Sequence, residues 1–121
     1  TFGLFGDDRI ILISDTMMAT GLSDGAYTLG GQAVNVHGNL ATLADGTIAG
    51  SVTNLFACMT HAVNMGIPLE SAVKCATVNP AKAIGIYEKT GSITPGKDAD
   101  LLLLNPDLSL HSVFVRGQKI V

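Results

Sequence analysis

The chain has 121 residues, of which 47% are hydrophobic and 14% are charged, with a formal net charge of −3 and a mean hydropathy of +0.41. This length allows one domain and excludes a complete (β/α)₈ barrel, which needs about 250 residues. The apolar composition excludes a disordered chain, and because no basic stripe is present we expect no nucleic-acid partner.

The first half of the chain is predicted to be rich in β-structure. The run Ile10–Ile13 is apolar on both faces, which is typical of a strand that is covered on both sides. Short strands are then predicted around Tyr27–Leu29, Ala33–Val36 and Leu40–Leu43. The predicted turns between and after them are Gly30-Gly31, Gly38-Asn39 and Asp45-Gly46.

Three helices are predicted next. The first begins with Ser51 as its N-cap and ends at Gly66, and its apolar residues recur at helical spacing. The second runs from Pro68. The third has Asn79 as its N-cap, followed by a proline, and Gly85 closes it.

The last thirty residues are predicted to return to β-structure. Leu101–Leu104 is an apolar strand, and Asn105–Asp107 forms the turn after it. Val113–Val115 and Gln118–Val121 form a hairpin around Arg116-Gly117. The order of elements is therefore a buried strand, small hairpins, three helices and a terminal β-element.

Two places on the chain are candidates for chemistry. Asp15 follows Ile10–Ile13 directly, at the strand end where α/β barrels and open sheets place their active sites. The alternative is an aspartate that caps a helix or lies in a surface turn. Ala49-Gly50-Ser51 precedes a predicted helix, so its backbone N–H groups could face a bound anion. Simple capping by Ser51 is the alternative there.

Metal and membrane motifs are missing from the sequence. His37, His61 and His111 form no H-x-H or H-E-x-x-H motif, so we expect this chain's own residues to bind no metal. Cys58 and Cys75 are 17 residues apart, which favours free thiols in a reducing, cytoplasmic compartment. We expect neither a signal peptide nor a membrane partner, since the longest uninterrupted apolar runs have four residues.

Several strings match a known family. Ile-Ser-Asp-Thr-Met at 13–17, Asp-Gly-x-Tyr-x-Leu-Gly-Gly at 24–31 and Asp-Gly-Thr-Ile-Ala-Gly-Ser at 45–51 closely resemble the N-acetylglucosamine-6-phosphate deacetylases. These enzymes belong to the metal-dependent amidohydrolase superfamily. The blocks at 76–85 and 91–101 resemble the more general C-terminal signature of that superfamily, and the resemblance extends from about Arg9 to Val121.

The resemblance implies an α/β fold in which the chain is the C-terminal fragment of a larger enzyme. Residues 1–90 would be the last part of a (β/α)₈ barrel, with its last strand, a hairpin excursion and helices. Residues 91–121 would supply strands of a small β-sandwich domain. The full-length enzyme would use a divalent metal, zinc or similar, whose ligands lie upstream of this chain. The isolated chain is therefore expected to be inactive.

The resemblance also implies a site and a substrate. Asp15 would be the general base and acid: a metal-activated water attacks the acetamide carbonyl, and the aspartate passes the proton of that water to the departing amine. Ile48, Ala49 and Gly50 would line the pocket for a small sugar phosphate. The reaction would convert N-acetylglucosamine 6-phosphate to glucosamine 6-phosphate and acetate in amino-sugar catabolism, in an enzyme expected to form homo-oligomers.

Two other functions remain open at this point. The general C-terminal block also permits another amidohydrolase, for example a dihydroorotase-like or deaminase-like enzyme. The missing metal ligands and the apolar composition permit a non-catalytic module that associates with itself or with a partner.

Overall fold

The computed structural model describes residues 1–121 and has a mixed α/β fold, as predicted. The helices are α1 (Phe2–Phe5), α2 (Leu55–Asn64), α3 (Leu69–Ala76) and α4 (Val78–Ala83). The strands are β1 (Gly25–Leu29), β2 (Gln32–His37), β3 (Leu40–Thr42), β4 (Ile48–Ser51), β5 (Leu101–Leu104), β6 (Leu110–Val115) and β7 (Gln118–Lys119). No helix combines the length and the apolarity needed to cross a bilayer.

The chain forms two compact units. One contains residues 12–61, and the other contains residues 1–11 together with residues 62–121. We call them the hairpin unit and the helical unit, respectively. Along the chain, the first boundary between them falls between Ile11 and Leu12, and the second falls within α2.

The hairpin unit contains a four-stranded antiparallel sheet in the order β1-β2-β3-β4. Val34 and Val36 of β2 are buried, whereas Asn35 and His37 are exposed, because successive side chains of a strand point to opposite faces. Six buried residues of this unit form one small core, and they are Met17, Ala19, Val34, Val36, Ala41 and Val52. One face of the sheet therefore packs on this core.

Glycine-containing turns connect the first three strands. Leu29 pairs with Gln32, which leaves Gly30 and Gly31 as a two-residue turn with φ values of +58° and +82°. Positive φ at both positions matches the twist of the strands and favours glycine. The predicted hairpins and this turn are confirmed.

The fourth strand and the start of α2 differ from the prediction. Ser51 is the last residue of β4. Its N–H donates to the Asp15 carbonyl (3.1 Å), and its carbonyl accepts the Met17 N–H (2.9 Å). These bonds hold Ser51 in an extended conformation, so the prediction that it caps the helix is wrong. The side chain of Asn54 accepts the Ala57 N–H (2.8 Å) instead, and α2 begins at Leu55.

The run Ile10–Ile13 is not a strand in this structure. The side chains of Ile11 and Ile13 are 41% and 72% exposed, so the prediction of a strand covered on both sides is wrong for this chain. A strand needs a neighbour that satisfies its backbone groups, and no strand of the chain pairs with this segment. The first bridge after it is parallel and joins Thr16 to Ser51.

In the helical unit, α4 holds the N-terminal segment through Asn79. This residue lies inside α4 and is buried, so the prediction that it is the N-cap is wrong. Its side-chain nitrogen donates to the carbonyls of Asp7 (2.6 Å) and Ile10 (2.7 Å). Burial of the amide is compatible with folding because both carbonyls accept hydrogen bonds from it.

The C-terminal residues form the antiparallel sheet β5-β6-β7. Val115 pairs with Gln118, so Arg116 and Gly117 form the predicted two-residue turn, with φ values of +50° and +79°. The terminal hairpin is therefore confirmed. Both cysteines are free thiols, and Cys75 is buried.

Candidate active site

Asp15 is held by its backbone against β4. The Asp15 carbonyl accepts the Ser51 N–H, and the next two residues continue the parallel pairing through Met17. The hydroxyl of Thr16 donates to the Thr53 carbonyl (2.7 Å). These hydrogen bonds fix the backbone of Asp15 beside β4, while its side chain is exposed.

The backbone of Asp15 adopts an uncommon conformation, with φ +49°. Leu108 and Arg116 are the other non-glycine residues with positive φ, and both lie in tight turns of the C-terminal sheet region. Aspartate tolerates this left-handed region better than most residues. Residues held in such conformations cluster at functional sites, which favours a functional role over an ordinary surface position.

Asp15 lies in an open cleft of about 300 Å³ within the hairpin unit. The structure brings it together with the three other residues that sequence reasoning assigned to the site, Ile48, Ala49 and Gly50. Two residues that sequence reasoning missed, Asn39 and Leu40, also line the cleft. Ser51, which was considered as part of the candidate Ala49-Gly50-Ser51, lines it too.

A β-bulge places the backbone of Ala49 in this cleft. Ala41 pairs with Gly50 and Thr42 pairs with Ile48, so Ala49 is an extra residue with no partner on β3. A bulge frees backbone groups from the ladder, and bulges are frequent beside active sites. The prediction that Ala49-Gly50-Ser51 directly precedes a helix is wrong, because Ile48–Ser51 is a bulged strand and α2 begins at Leu55.

The turn before β4 is fixed by a side chain. One oxygen of the Asp45 carboxylate accepts the Thr47 N–H (2.9 Å), and this hydrogen bond holds the pKa of Asp45 below its usual range. The Leu43 N–H donates to the Thr47 carbonyl (2.8 Å), which closes the same turn. Ile48 therefore enters the cleft from a defined turn, and its side chain is 70% exposed.

The polar side chains of the cleft are available to a ligand. The Asp15 carboxylate and the Asn39 amide are both exposed, and neither makes a hydrogen bond within the chain. The Ser51 hydroxyl instead accepts the Thr53 N–H (3.1 Å). The cleft thus offers one proton acceptor and one amide, beside the apolar side chains of Leu40 and Ile48.

The residues of this chain do not make up a metal site. No group of three or more histidine, cysteine, aspartate or glutamate side chains lies close enough together to hold a metal ion. Asp15 is the single residue of these types that lines the cleft. Catalytic zinc sites use three protein ligands, so a single carboxylate does not supply a zinc site.

A second open cleft, of about 340 Å³, lies in the helical unit. Its polar residues already have partners: the Asn79 amide nitrogen is bonded to two carbonyls, and Asp8 forms an ion pair with Lys74. Arg9 stacks over the Phe5 ring, 5.6 Å from its centroid. The first cleft is therefore the better candidate for an active site, because its carboxylate is free.

The chain belongs to the amidohydrolase family, whose sequence model matches residues 15–120. The comparisons also confirm the resemblance to the N-acetylglucosamine-6-phosphate deacetylases. An enzyme of that name from Bacillus subtilis (strain 168) is 39% identical over 113 residues, which are 93% of this chain and 28% of that protein.

Two further matches agree with this one. An N-acetylgalactosamine-6-phosphate deacetylase from Escherichia coli O157:H7 is 36% identical over 112 residues, which cover 92% of this chain and 30% of the relative. A mutant N-acetyl-D-glucosamine-6-phosphate deacetylase from Mycobacterium smegmatis, in complex with N-acetyl-D-glucosamine-6-phosphate, superimposes with a TM-score of 0.89 at 37% identity. That match covers 99% of this chain and 32% of the solved chain. The chain thus spans about a third or less of each of these proteins.

Proposed function

We propose that this chain carries the proton-transfer aspartate and part of the sugar pocket of a deacetylase. The reaction is the hydrolysis of N-acetylglucosamine 6-phosphate to glucosamine 6-phosphate and acetate. The observation that carries the proposal is the cleft in which Asp15 meets the bulged segment Ile48–Gly50. The names and the similarity of the relatives support this substrate.

Asp15 moves one proton in this proposal. A water molecule adds to the acetamide carbonyl carbon, and the Asp15 carboxylate accepts the proton that the water loses. The C–N bond then breaks, and Asp15 returns the proton to the amine nitrogen as acetate leaves. A general base and acid of this kind contributes about 10²- to 10⁴-fold to a rate.

The remaining cleft residues bind the sugar. The side chains of Leu40 and Ile48 are 48% and 70% exposed and form apolar walls beside Asp15. Small-molecule sites combine such walls with a few polar groups that fix orientation. The backbone groups of Ala49, which has no partner residue on β3, serve as those polar groups and need no particular side chain.

The proposal also covers the architecture of the whole protein. Residues 1–90 would be the last part of a (β/α)₈ barrel, and residues 91–121 would belong to a small β-sandwich. The match of nearly the whole chain to about a third of a solved deacetylase supports the proposal that the chain is part of a larger enzyme. The metal and the phosphate-binding residues would then come from outside residues 1–121, in a cytoplasmic homo-oligomer, and the isolated chain would be inactive.

The test is Asp15→Asn in the full-length protein that contains this chain. Acetate release from N-acetylglucosamine 6-phosphate should fall by about 10³-fold, because asparagine cannot take the proton. Asp107→Asn is the matched control: it changes a turn aspartate of the other unit, whose carboxylate accepts the Ser109 N–H (2.9 Å). If the unsubstituted protein releases acetate and Asp15→Asn keeps near-normal turnover, the assigned role is contradicted.

N-acetylgalactosamine 6-phosphate is the second candidate substrate, because the E. coli O157:H7 relative carries that name at 36% identity. The two sugars differ in the configuration of one ring hydroxyl. Measuring kcat/KM for acetate release from both sugar phosphates distinguishes them. A protein that releases acetate from neither is another kind of amidohydrolase or a non-catalytic module.

A further inference from the structure

We propose that Asn39 positions the substrate by binding a hydroxyl of its sugar ring, and that Asp24 holds the turn that carries Asn39. The inference rests on the proposed function and deepens it, because it names a specificity-determining residue for the same cleft. Neither residue was among those that sequence reasoning assigned to the site.

Asn39 reaches the cleft from the turn between β2 and β3. His37 pairs with Leu40, so Gly38 and Asn39 are the whole turn. Gly38 has φ +58°, a conformation that favours glycine and reverses the chain within two residues. Asn39 and Leu40 then line the same cleft as Asp15.

The chemistry of Asn39 suits a sugar hydroxyl. An amide side chain offers both donors and an acceptor, and a hydroxyl can use one of each. The Asn39 amide is exposed and makes no hydrogen bond within the chain, so this capacity is unused. No lysine or arginine lines the cleft, and therefore its polar side chains fit a hydroxyl better than a phosphate.

Asp24 fixes the turn from outside the cleft. One oxygen of its carboxylate accepts the Gly38 N–H (2.9 Å), and the other lies 2.7 Å from Nδ1 of His37. One carboxylate thus binds both residues that precede Asn39. Asp24 does not line the cleft, so any effect it has on the substrate passes through the turn, which makes it a positioning residue.

The first experiment uses Asn39→Ala in the full-length protein, with N-acetylglucosamine 6-phosphate as the probe. The KM for acetate release and the calorimetric Kd should both rise about 3- to 10-fold, and kcat should change less than about 3-fold, since a neutral hydrogen bond to the sugar is lost in ground and transition states alike. Asn35→Ala is the matched control, because Asn35 is an exposed asparagine of the same hairpin outside the cleft.

Deoxy sugars identify the partner hydroxyl. Among the 3-deoxy and 4-deoxy analogues of N-acetylglucosamine 6-phosphate, one should bind the unsubstituted protein more weakly than the parent sugar does. The same analogue and the parent sugar should bind Asn39→Ala equally, because the interaction is absent from both. If the penalty for each missing hydroxyl is the same in the two proteins, the role of Asn39 is overturned.

Asp24→Ala tests the positioning role. KM should rise by about 3-fold, and the double substitution Asp24→Ala with Asn39→Ala should be no worse than Asn39→Ala alone, because Asp24 acts through Asn39. If the increases in KM of the two single variants multiply in the double variant, this part of the proposal is overturned.

The outcomes separate the inference from the proposed function. If acetate is released and Asn39→Ala leaves KM and Kd unchanged, the inference fails and the proposed function stands. If no acetate is released but the sugar phosphate binds, the proposed function fails, and the shift in Kd still decides whether Asn39 contacts the sugar. If the unsubstituted protein does not bind the probe, both are overturned.

Discussion

Polar side chains serve opposite purposes in the helical unit and in the cleft of the hairpin unit. In the helical unit, Asp7 accepts hydrogen bonds from Ser71 and Lys74 (both 2.8 Å), and Asn79 donates to two carbonyls. In the cleft of the hairpin unit, Asp15 and Asn39 make no hydrogen bond within the chain. The same two residue types thus stabilise the fold in the helical unit and are without hydrogen-bond partners in the cleft of the hairpin unit.

Glycine shows the same contrast. Gly91 has φ +93°, and a Cβ there would lie 2.6 Å from the Ala81 Cβ and 3.1 Å from the Thr77 carbonyl oxygen. At Gly50 the nearest atom to an added Cβ would be the Met17 Cβ, at an ordinary 3.6 Å. The close packing of the helical unit therefore requires glycine, whereas the cleft has room for a methyl group.

The largest effect on stability is expected from Gly91→Ala. The clash and the positive φ together should lower the free energy of unfolding by about 3 kcal/mol. Gly50→Ala is the matched control and should change it by less than about 0.5 kcal/mol. Urea unfolding of both variants measures the difference. Equal losses would show that the two units do not differ in packing at these positions.

The next largest effect on stability is expected from Asn79→Ala, and Asn39→Ala is its matched control. Asn79→Ala leaves the Asp7 and Ile10 carbonyls without their donor, which should cost about 2 kcal/mol of unfolding free energy. Asn39→Ala removes an amide that has no partner, and should cost less than about 0.5 kcal/mol. Thermal unfolding tests the pair. A large loss from Asn39→Ala would mean that this amide supports the fold and is not kept for a ligand.

Local patterns in the sequence were sufficient for much of the fold. The glycine turns of the hairpins and the spacing of apolar residues in α2 and α3 depend on neighbours only a few positions away. Ile10–Ile13 could not be predicted in this way, because a buried strand depends on partners that are remote in sequence. β4 was missed because Ala49 and Gly50 have low strand propensity. The signal that could have found it is Asp45-Gly46, since such a turn after one strand predicts another.

The candidate site was predicted in part. Asp15 and Ile48–Gly50 were assigned from a strand end, a turn and a family resemblance, and the structure places all of them in one cleft. Asn39 was predicted only as half of a turn. Its place beside Asp15 follows from the pairing of β3 with β4 and of Ser51 with Thr16, and no spacing within the sequence contains that information.

The smallest effect is expected from the Asp7–Lys74 ion pair, whose side chains are about 30% exposed. Hydrogen bonds from Lys74 and Ser71 hold the pKa of Asp7 below its ordinary value of 3.8. Its contribution to stability is therefore present above about pH 4 and is lost as the pH falls through the lowered pKa. Hydrogen bonds to Asp7 and Asp8 raise the pKa of Lys74 above 10.5, so its contribution is lost only in strong base.

Asp7→Asn should reduce the loss of stability at acid pH. The unfolding temperature of the unsubstituted chain should fall more between pH 6 and pH 3 than that of Asp7→Asn, because the variant has no proton to take up at this position. Lys74→Ala should remove part of the same step, because Ser71 still donates to Asp7. The double variant should lose less than the sum of the two single losses, since both substitutions break the Asp7–Lys74 interaction. If the unfolding temperature of Asp7→Asn falls as much between pH 6 and pH 3 as that of the unsubstituted chain, the ion pair contributes nothing measurable to stability. The attachment of the N-terminal segment to α3 and α4 would then depend on the neutral hydrogen bonds of Asn79.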